Sequence, residues 1–246
     1  MPLELSIAII GLIMGSITAV SGGSGAFAVP AMLALGIPPI TALALNQVSD
    51  IGAIPGALLR YAKKKVSWKS VLPTAIPLAM GGYLGARIVL ALPETTLRTI
   101  IIIGVTVALF LTFKSPQHKE DQATEKHSML AYIILFFCGI WGGMLGMATG
   151  IMVTITLIYL LKLKFLEAHA TMLASTLPRI LIVSTTLITN AGIPWKLAGI
   201  MIASNLIGSF IVSSFAIKNN GNTIVRKAMM CISITLLIFV TVQTLL

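Results

Sequence analysis

The chain has 246 residues, of which 57% are apolar and 10% are charged, and its mean hydropathy is +1.00. A soluble domain of this size could not bury so much apolar surface, so the composition excludes a soluble protein and predicts that most of the chain lies in lipid. The net charge of +10 comes from Lys and Arg residues in short connections between apolar runs. That pattern is typical of cytoplasmic loops facing anionic lipid, so we expect a lipid bilayer and no nucleic acid as partner.

The first apolar block, residues 11–36, is interrupted at Ser21-Gly22-Gly23-Ser24-Gly25. A continuous helix of about thirty residues would be ~45 Å long, whereas the hydrocarbon core of a bilayer is about 30 Å thick. The block is therefore predicted to be a broken helix that folds back as a re-entrant hairpin. Glu4 stands where a signal peptide would need Lys or Arg, so we expect this block to remain in the protein.

Three uninterrupted apolar runs follow, at about 40–61, 67–92 and 95–113, and each approaches or exceeds the length needed to cross a membrane. The polar residues 115–128 form a predicted cytoplasmic linker between a first transmembrane repeat, 1–114, and a second, 129–246. The second repeat has the same order: a broken block at 139–164, centred on 146–150, and runs at about 166–191, 195–217 and 223–246. Residues that match at a spacing of about 127 are Gly11 with Gly139, Ala44 with Ala170, Ser49 with Ser175, Trp68-Lys69 with Trp195-Lys196, and Gly81 with Gly208.

The distribution of Lys and Arg predicts how the two repeats are oriented. The loop around Lys63-Lys64-Lys65 is expected inside, and two further crossings bring the linker to the same side. If the second block also folds back, Lys162 and Lys164 stay inside, whereas a single crossing would place most of the later basic residues outside. Each repeat then has an odd number of segments, so the repeats enter the membrane from opposite faces. The predicted fold is an all-α polytopic membrane protein made of two inverted-topology repeats, each a broken re-entrant-type helical hairpin plus three transmembrane helices.

The sequence resembles one known family of membrane proteins. The resemblance rests on the GxxxG start and Gly-Gly-Ser-Gly break of residues 11–36, on Val66-Ser67-Trp68-Lys69, and on the second glycine-rich block with Ala191-Gly192-Ile193-Pro194-Trp195-Lys196. This pattern looks like the sulfite exporter TauE/SafE family, also called the four-toluenesulfonate uptake permeases. The resemblance implies transport of small sulfur-containing anions, such as sulfite, sulfoacetate, taurine or related sulfonates, across a bacterial inner membrane. The second block departs from the pattern, with Met147, Ala148 and Thr149 where a fuller glycine cluster is common.

Paired helix breaks within lipid leave backbone groups without helical partners and are a sequence pointer to a transporter's binding site. Where the helices restart, free N–H groups and the positive end of the helix dipole can hold an oxyanion. For the GxxxG pairs Gly11–Gly15 and Gly139–Gly143 we expect close helix packing instead. The substrate-binding residues expected at the breaks are Ser21, Gly22, Gly23, Ser24, Gly25, Thr149 and Gly150, with hydroxyl donors from Ser21, Ser24 and Thr149.

Ionisable residues inside apolar spans are costly and usually functional, and Asp50 and Arg179 occupy near-equivalent places in the two repeats. The pseudo-twofold relation would bring both to one central cavity, where Arg179 attracts the anion and Asp50 counters it or takes a proton. The alternative role for this pair is a static buried salt bridge that fixes packing. The neighbouring polar residues of the predicted site are Asn46, Gln47, Ser49, Ser175 and Thr176.

The predicted function is alternating-access transport of small sulfur-containing anions, with a proton or a sodium ion as the candidate coupling ion. Two alternatives stay open: an anion channel that uses the same backbone dipoles, and a carrier of a different small organic anion. No arrangement of His, Cys, Glu or Ser–Lys residues within the spans suits an enzyme or a metal site, so we predict neither catalysis nor a cofactor. The sequence leaves the direction of transport and the oligomeric state open.

Overall fold

The structure is a computed structural model that describes residues 2–20, 22, 24–61, 66–114 and 129–218. The regular structure in these ranges is helical, with no strand, which confirms the predicted all-α class. The linker 115–128, the loop residues 62–65 and the predicted last span 223–246 lie outside the described residues. The helices are α1 (Leu3–Val20), α2 (Gly25–Ala34), α3 (Pro39–Tyr61), α4 (Trp68–Ala91), α5 (Glu94–Lys114), α6 (Met129–Met144), α7 (Thr149–Tyr159), α8 (Phe165–Asn190) and α9 (Trp195–Lys218).

Both predicted helix breaks are confirmed, between α1 and α2 and between α6 and α7. Gly22 has a φ of +69° at the first break, and Gly146 and Ala148 have φ values of +70° and +54° at the second. Backbone in this left-handed region cannot continue a right-handed helix. Helix α2 has 10 residues and α7 has 11, so each is about 15 Å long, half the thickness of a hydrocarbon core. The second arm of each block is therefore too short to cross a membrane alone.

Within the described ranges, five helices, α3, α4, α5, α8 and α9, are long and apolar enough to cross a membrane. Their outward faces carry large apolar side chains: on α4, Leu72, Ile76 and Met80 are 69%, 53% and 59% exposed. Residues four positions apart lie on one helix face, so these three form a continuous apolar stripe that suits contact with lipid. The chain is a multi-pass membrane protein.

The helices of the two halves pack closely through glycine. A Cβ atom at Gly15 of α1 would collide with the carbonyl oxygen of Asn205 in α9, and one at Gly143 of α6 would collide with that of Gly82 in α4. The close packing predicted for the GxxxG pairs is thus confirmed. The first helix of each broken block packs on the second long span of the other half, α1 on α9 and α6 on α4.

Helices α3 and α8 run antiparallel. Near the start of α3, the carbonyl of Gln47 accepts a hydrogen bond of 3.3 Å from Ser184, which lies late in α8. At the other end of α3, the ring of Tyr61 lies against that of His169, early in α8, with 5.6 Å between ring centroids. This pair carries the buried Asp50 and Arg179 and therefore positions both charged side chains of the predicted site.

Candidate functional site

The two helix breaks are in direct contact with each other. The N–H of Gly150 donates a hydrogen bond of 3.1 Å to the carbonyl oxygen of Gly22. A Cβ atom on Gly150 would lie 2.6 Å from that oxygen, and one on Gly22 would lie 2.9 Å from the Cα of Gly150. Such distances are too short for any side chain, so only glycine at both positions lets the two backbones meet.

A small buried cavity lies at this contact. Its volume is about 20 Å³, which is enough for about one water molecule. It brings together seven of the predicted site residues, from both breaks and from α3 and α8. The lining residues are Thr18, Gly22, Ser24, Asp50, Ile54, Gly146, Thr149, Gly150, Met172, Thr176 and Arg179.

Asp50 and Arg179 both line the cavity without forming a direct ion pair. Among the described residues the ion pairs are Arg98 with Glu94 and Lys196 with Glu4, both at the surface. Asp50 is 8% exposed and Arg179 is 3% exposed. The Oδ1 of Asp50 and the Nε of Arg179 have no hydrogen-bond partner within the described part of the chain. The two residues therefore do not form a direct ion pair within the described part of the chain, and these two atoms remain available to a bound group.

Two helices of the first half, α3 and α4, hold the side chain of Arg179 in place. Its Nη1 donates a hydrogen bond of 3.4 Å to the Oε1 of Gln47. The Nε2 of the same Gln47 donates to the carbonyls of Gly142 and, at 3.3 Å, Gly143, near the end of α6. The aliphatic part of Arg179 packs over Gly82 of α4, where a Cβ atom would be 2.5 Å from its Cγ. Gln47 therefore links the arginine to the second helix break.

Asn46 is wedged between the two breaks. A Cβ atom on Gly25 would lie 3.1 Å from its Nδ2, and one on Gly146 would lie 2.6 Å from it. Asn46 is 1% exposed, and neither its Nδ2 nor its Oδ1 has a hydrogen-bond partner among the residues that the structure describes. A buried amide without partners is costly, which is a feature of sites where a polar ligand completes the hydrogen bonding.

Helices α2 and α7 both begin at the cavity, so the positive ends of two helix dipoles lie there. At the start of α2, the carbonyl of Ser24 accepts hydrogen bonds from the N–H groups of Phe27 and Ala28, and its hydroxyl accepts one of 2.8 Å from Thr18. At the start of α7, the hydroxyl of Thr149 is buried and has no partner in the described ranges. Two helix starts, hydroxyl groups and an arginine together favour an anionic ligand.

Comparison with known proteins agrees with this architecture. A model of the family described as sulfite exporter TauE/SafE matches residues 7–240. The chain belongs to the TauE/SafE family. The resemblance noted in the sequence is thereby confirmed, and the chain is a membrane transporter of this family.

Three relatives of the TauE/SafE chain have similar names. It is 26% identical over 229 residues to the probable membrane transporter protein ORF9 of Sinorhizobium sp., which covers 92% of this chain and 87% of the relative. It is 22% identical over 228 residues to a probable membrane transporter protein of Haemophilus influenzae, with 91% and 89% covered. It is 24% identical over 233 residues to the probable membrane transporter protein YfcA of Escherichia coli K12, with 91% and 84% covered.

Some predicted site residues of this TauE/SafE member do not line the cavity. The hydroxyl of Ser49 donates to the carbonyl of Asn46 at 2.8 Å, and that of Ser175 pairs with the hydroxyl of Thr74 in α4 at 2.6 Å. Thr176 lines the cavity, but its hydroxyl bonds to carbonyls of its own helix. Ser21 and Gly23 lie outside the described residues.

Four further cavity residues were not among the predicted site residues, although Gly146 lies within the predicted second break. Thr18, Ile54, Gly146 and Met172 also line the cavity. Helical spacing could have found two of them, because Ile54 follows Asp50 by four residues and Met172 precedes Arg179 by seven, which places each on the same helix face. Apolar residues at these positions gave no chemical signal of their own.

Proposed function

We propose that this TauE/SafE member transports a small sulfur-containing anion, such as sulfite or an organic sulfonate, by alternating access across a bacterial inner membrane. The observation that carries the proposal is the contact of two helix breaks around a buried cavity that holds Arg179. The oxygen atoms of such an anion would accept hydrogen bonds from the guanidinium, from Thr149 and from the amide of Asn46. Each of these groups has a buried polar atom without a partner among the described residues.

We further propose that the two halves are inverted-topology repeats. The antiparallel course of the equivalent helices α3 and α8 supports this arrangement, and so does the exchanged packing of α1 on α9 and α6 on α4. Inverted repeats can adopt two related conformations that open to opposite faces. The positive-inside rule favours a cytoplasmic position for the loop 62–65 and the linker 115–128.

The size of the cavity favours a carrier over a channel. A volume of about 20 Å³ holds about one water molecule and is too small for a sulfonate group. Entry of the anion therefore requires the two breaks to separate, with loss of the hydrogen bond between Gly150 and Gly22. A conformational step for each transported ion produces saturable flux and counterflow, whereas a pore conducts without either.

The direct test is flux through the purified protein in liposomes, with radiolabelled sulfite and sulfoacetate as probes. We expect saturable uptake that is accelerated by unlabelled anion inside the vesicles. Arg179→Ala should reduce this flux by about 100-fold, because a hydrogen bond to a charged group contributes up to about 3 kcal/mol. Arg87→Ala is the matched control, since Arg87 is exposed on α4 and should be replaced without loss.

Because Arg179→Ala leaves Asp50 buried without its neighbouring cation, each variant must first elute as a single species in detergent. Arg179→Lys keeps the positive charge but lacks the planar guanidinium that can donate two parallel hydrogen bonds, so this variant should retain part of the flux. Full counterflow by a well-folded Arg179→Ala protein would contradict the proposal. Conductance without saturation or counterflow would support the channel instead.

Asp50 is the proposed carrier of a coupling proton. Asp50→Asn keeps the shape of the side chain and removes its ability to gain and lose a proton. We expect an imposed pH gradient to drive uptake by the parent protein and to have no effect on the variant, while counterflow at equal pH persists. Glu94→Gln, at an exposed ion pair, is the control. Equal stimulation of the parent and Asp50→Asn, or a response to a sodium gradient alone, would reject proton coupling through Asp50.

A further inference from the structure

The end of α1 is held by side chains from both halves of the chain. Ala19 follows the cavity residue Thr18, and its carbonyl accepts a hydrogen bond of 3.3 Å from the hydroxyl of Tyr61. The same carbonyl lies 3.1 Å from the Nε2 of His169, which donates to it in the tautomer with a proton on that nitrogen. Carbonyls in the last turn of a helix lack partners within the helix, so these donors replace the missing bonds. We name these three residues the Ala19 clasp.

Ring contacts fix the imidazole within the Ala19 clasp. The ring of His169 stacks on that of Phe165, with 6.4 Å between centroids and 11° between planes. The ring of Tyr61 meets it edge-on, at 5.6 Å and 74°. Tyr61 and His169 are each 3% exposed. The Ala19 clasp therefore joins the end of α1, the end of α3 and the start of α8 into one buried contact.

The Ala19 clasp lies beyond one end of the cavity along α1, α3 and α8. On α3, the cavity residue Ile54 precedes Tyr61, and on α8 the cavity residue Met172 follows His169. Because α3 and α8 are antiparallel, Tyr61 and His169 lie at the same end of the helix pair. This end is the one from which the chain enters the basic loop 62–65.

The opposite end of the cavity has a different chemistry. The repeat spacing that pairs Ser49 with Ser175 also gives each clasp residue an equivalent in the other half. His169 corresponds to Leu43, Tyr61 to Leu187 and Ala19 to Leu145. These leucines are at most 1% exposed and belong to one buried apolar cluster. At the positions equivalent to the clasp, apolar packing therefore takes the place of hydrogen bonds to a helix-end carbonyl, although Ser184 still bonds to the carbonyl of Gln47 one turn before Leu187.

We propose that the Ala19 clasp is the gate on the face of the basic loop 62–65, and that Tyr61 and His169 act as positioning residues that hold this gate shut. Opening toward this face parts α3 from α8 and so breaks both contacts with the Ala19 carbonyl. The inference rests on the proposed alternating-access function. Its test uses no transported anion, so the gate and the substrate class can fail separately.

The experiment measures how fast a cysteine at the cavity reacts from each face of the membrane. Ile54→Cys is introduced into the full chain with Cys138 and Cys231 replaced by serine, and a membrane-impermeant anionic methanethiosulfonate is added to right-side-out or everted vesicles. A separate Lys65→Cys variant marks the face of the basic loop. We expect Tyr61→Phe and His169→Leu each to raise the labelling rate of Ile54→Cys from that face on the order of fivefold, the effect of losing about one hydrogen bond.

Two variants separate a gate from a general loss of packing. His169→Gln keeps an N–H donor near the Ala19 carbonyl and should restore the parent rate. Leu43→Ala, at the opposite end, should not raise labelling from the basic-loop face. Because Tyr61→Phe removes only one oxygen atom, the labelling rate can still be measured in this variant if His169→Leu does not fold. An unchanged rate in Tyr61→Phe, or a rise that is equal from both faces or confined to the opposite face, overturns the proposal.

Discussion

Ala148 and its equivalent in the first break share a left-handed backbone conformation although the residues differ. Ala148 has a φ of +54°, and the residue at the equivalent place in the first break, Gly22, has a φ of +69°. A non-glycine residue in this region costs roughly 1–2 kcal/mol, and such strain is concentrated at functional sites. The second block has fewer glycines than the first, but its helix is broken all the same. Ala148 adopts the left-handed conformation there at a cost in conformational energy.

Replacement of Ala148 by glycine should separate this strain from the other effects of losing a methyl group. Ala148→Gly and Ala44→Gly both remove a fully buried methyl group and both make the unfolded chain more flexible. Only Ala148 has a left-handed backbone conformation, since Ala44 lies within the right-handed helix α3. We expect Ala148→Gly to retain about 1–2 kcal/mol more stability than Ala44→Gly, measured as a higher midpoint of thermal unfolding in detergent. Equal losses in the two variants would show that the turn is unstrained.

The helix boundaries were largely predictable from the sequence, and the reason is visible at particular turns. The predicted run 40–61 corresponds to α3 at Pro39–Tyr61, and the predicted run 166–191 corresponds to α8 at Phe165–Asn190. Apolar runs of membrane length stop at glycine and proline, as at Gly36-Ile37-Pro38 and Gly192-Ile193-Pro194, where Gly36 and Gly192 have φ values of +79° and +59°.

Which side chains face the cavity was harder to predict. Helix α3 is surrounded by other helices, so a polar residue on it need not point at the site. Ser49 bonds to its own helix and Ser175 faces α4, although both lie beside cavity residues in sequence. Gln47 spans the two halves to reach Gly143, a contact between residues 96 positions apart that no local pattern contains.

The close packing of α6 on α4 can be tested by adding a methyl group at the contact. Gly143→Ala should cost about 1–3 kcal/mol, because the new methyl group collides with the carbonyl of Gly82 and the helices must separate. Gly199→Ala is the matched control, since a Cβ atom there meets nothing within 4 Å and alanine is the better helix former. We expect a lower unfolding midpoint for Gly143→Ala and an equal or higher one for Gly199→Ala. A neutral Gly143→Ala would contradict the close contact.

Across the whole molecule, the two halves depend on each other for packing. The glycine face of α1 is covered by α9, and that of α6 is covered by α4, so each half supplies the surface that buries the first helix of the other half's broken block. Gln47 and Arg179 connect the halves again at the cavity. A rigid-body movement of one half would therefore be transmitted to both breaks at once, which is what alternating access requires.

The proposed opposite orientation of the two halves in the membrane can be tested directly. Pro38 precedes α3 and Lys164 precedes α8; both are exposed, and they are separated by the same spacing as Ser49 and Ser175. Inverted repeats place them on opposite faces of the membrane, whereas parallel repeats place them on one face. In the cysteine-free background, we expect Lys164→Cys to react with an impermeant maleimide from the cytoplasmic side and Pro38→Cys only from the other side. Reaction of both cysteines from the same side would reject the inverted arrangement and, with it, the alternating-access mechanism built on it.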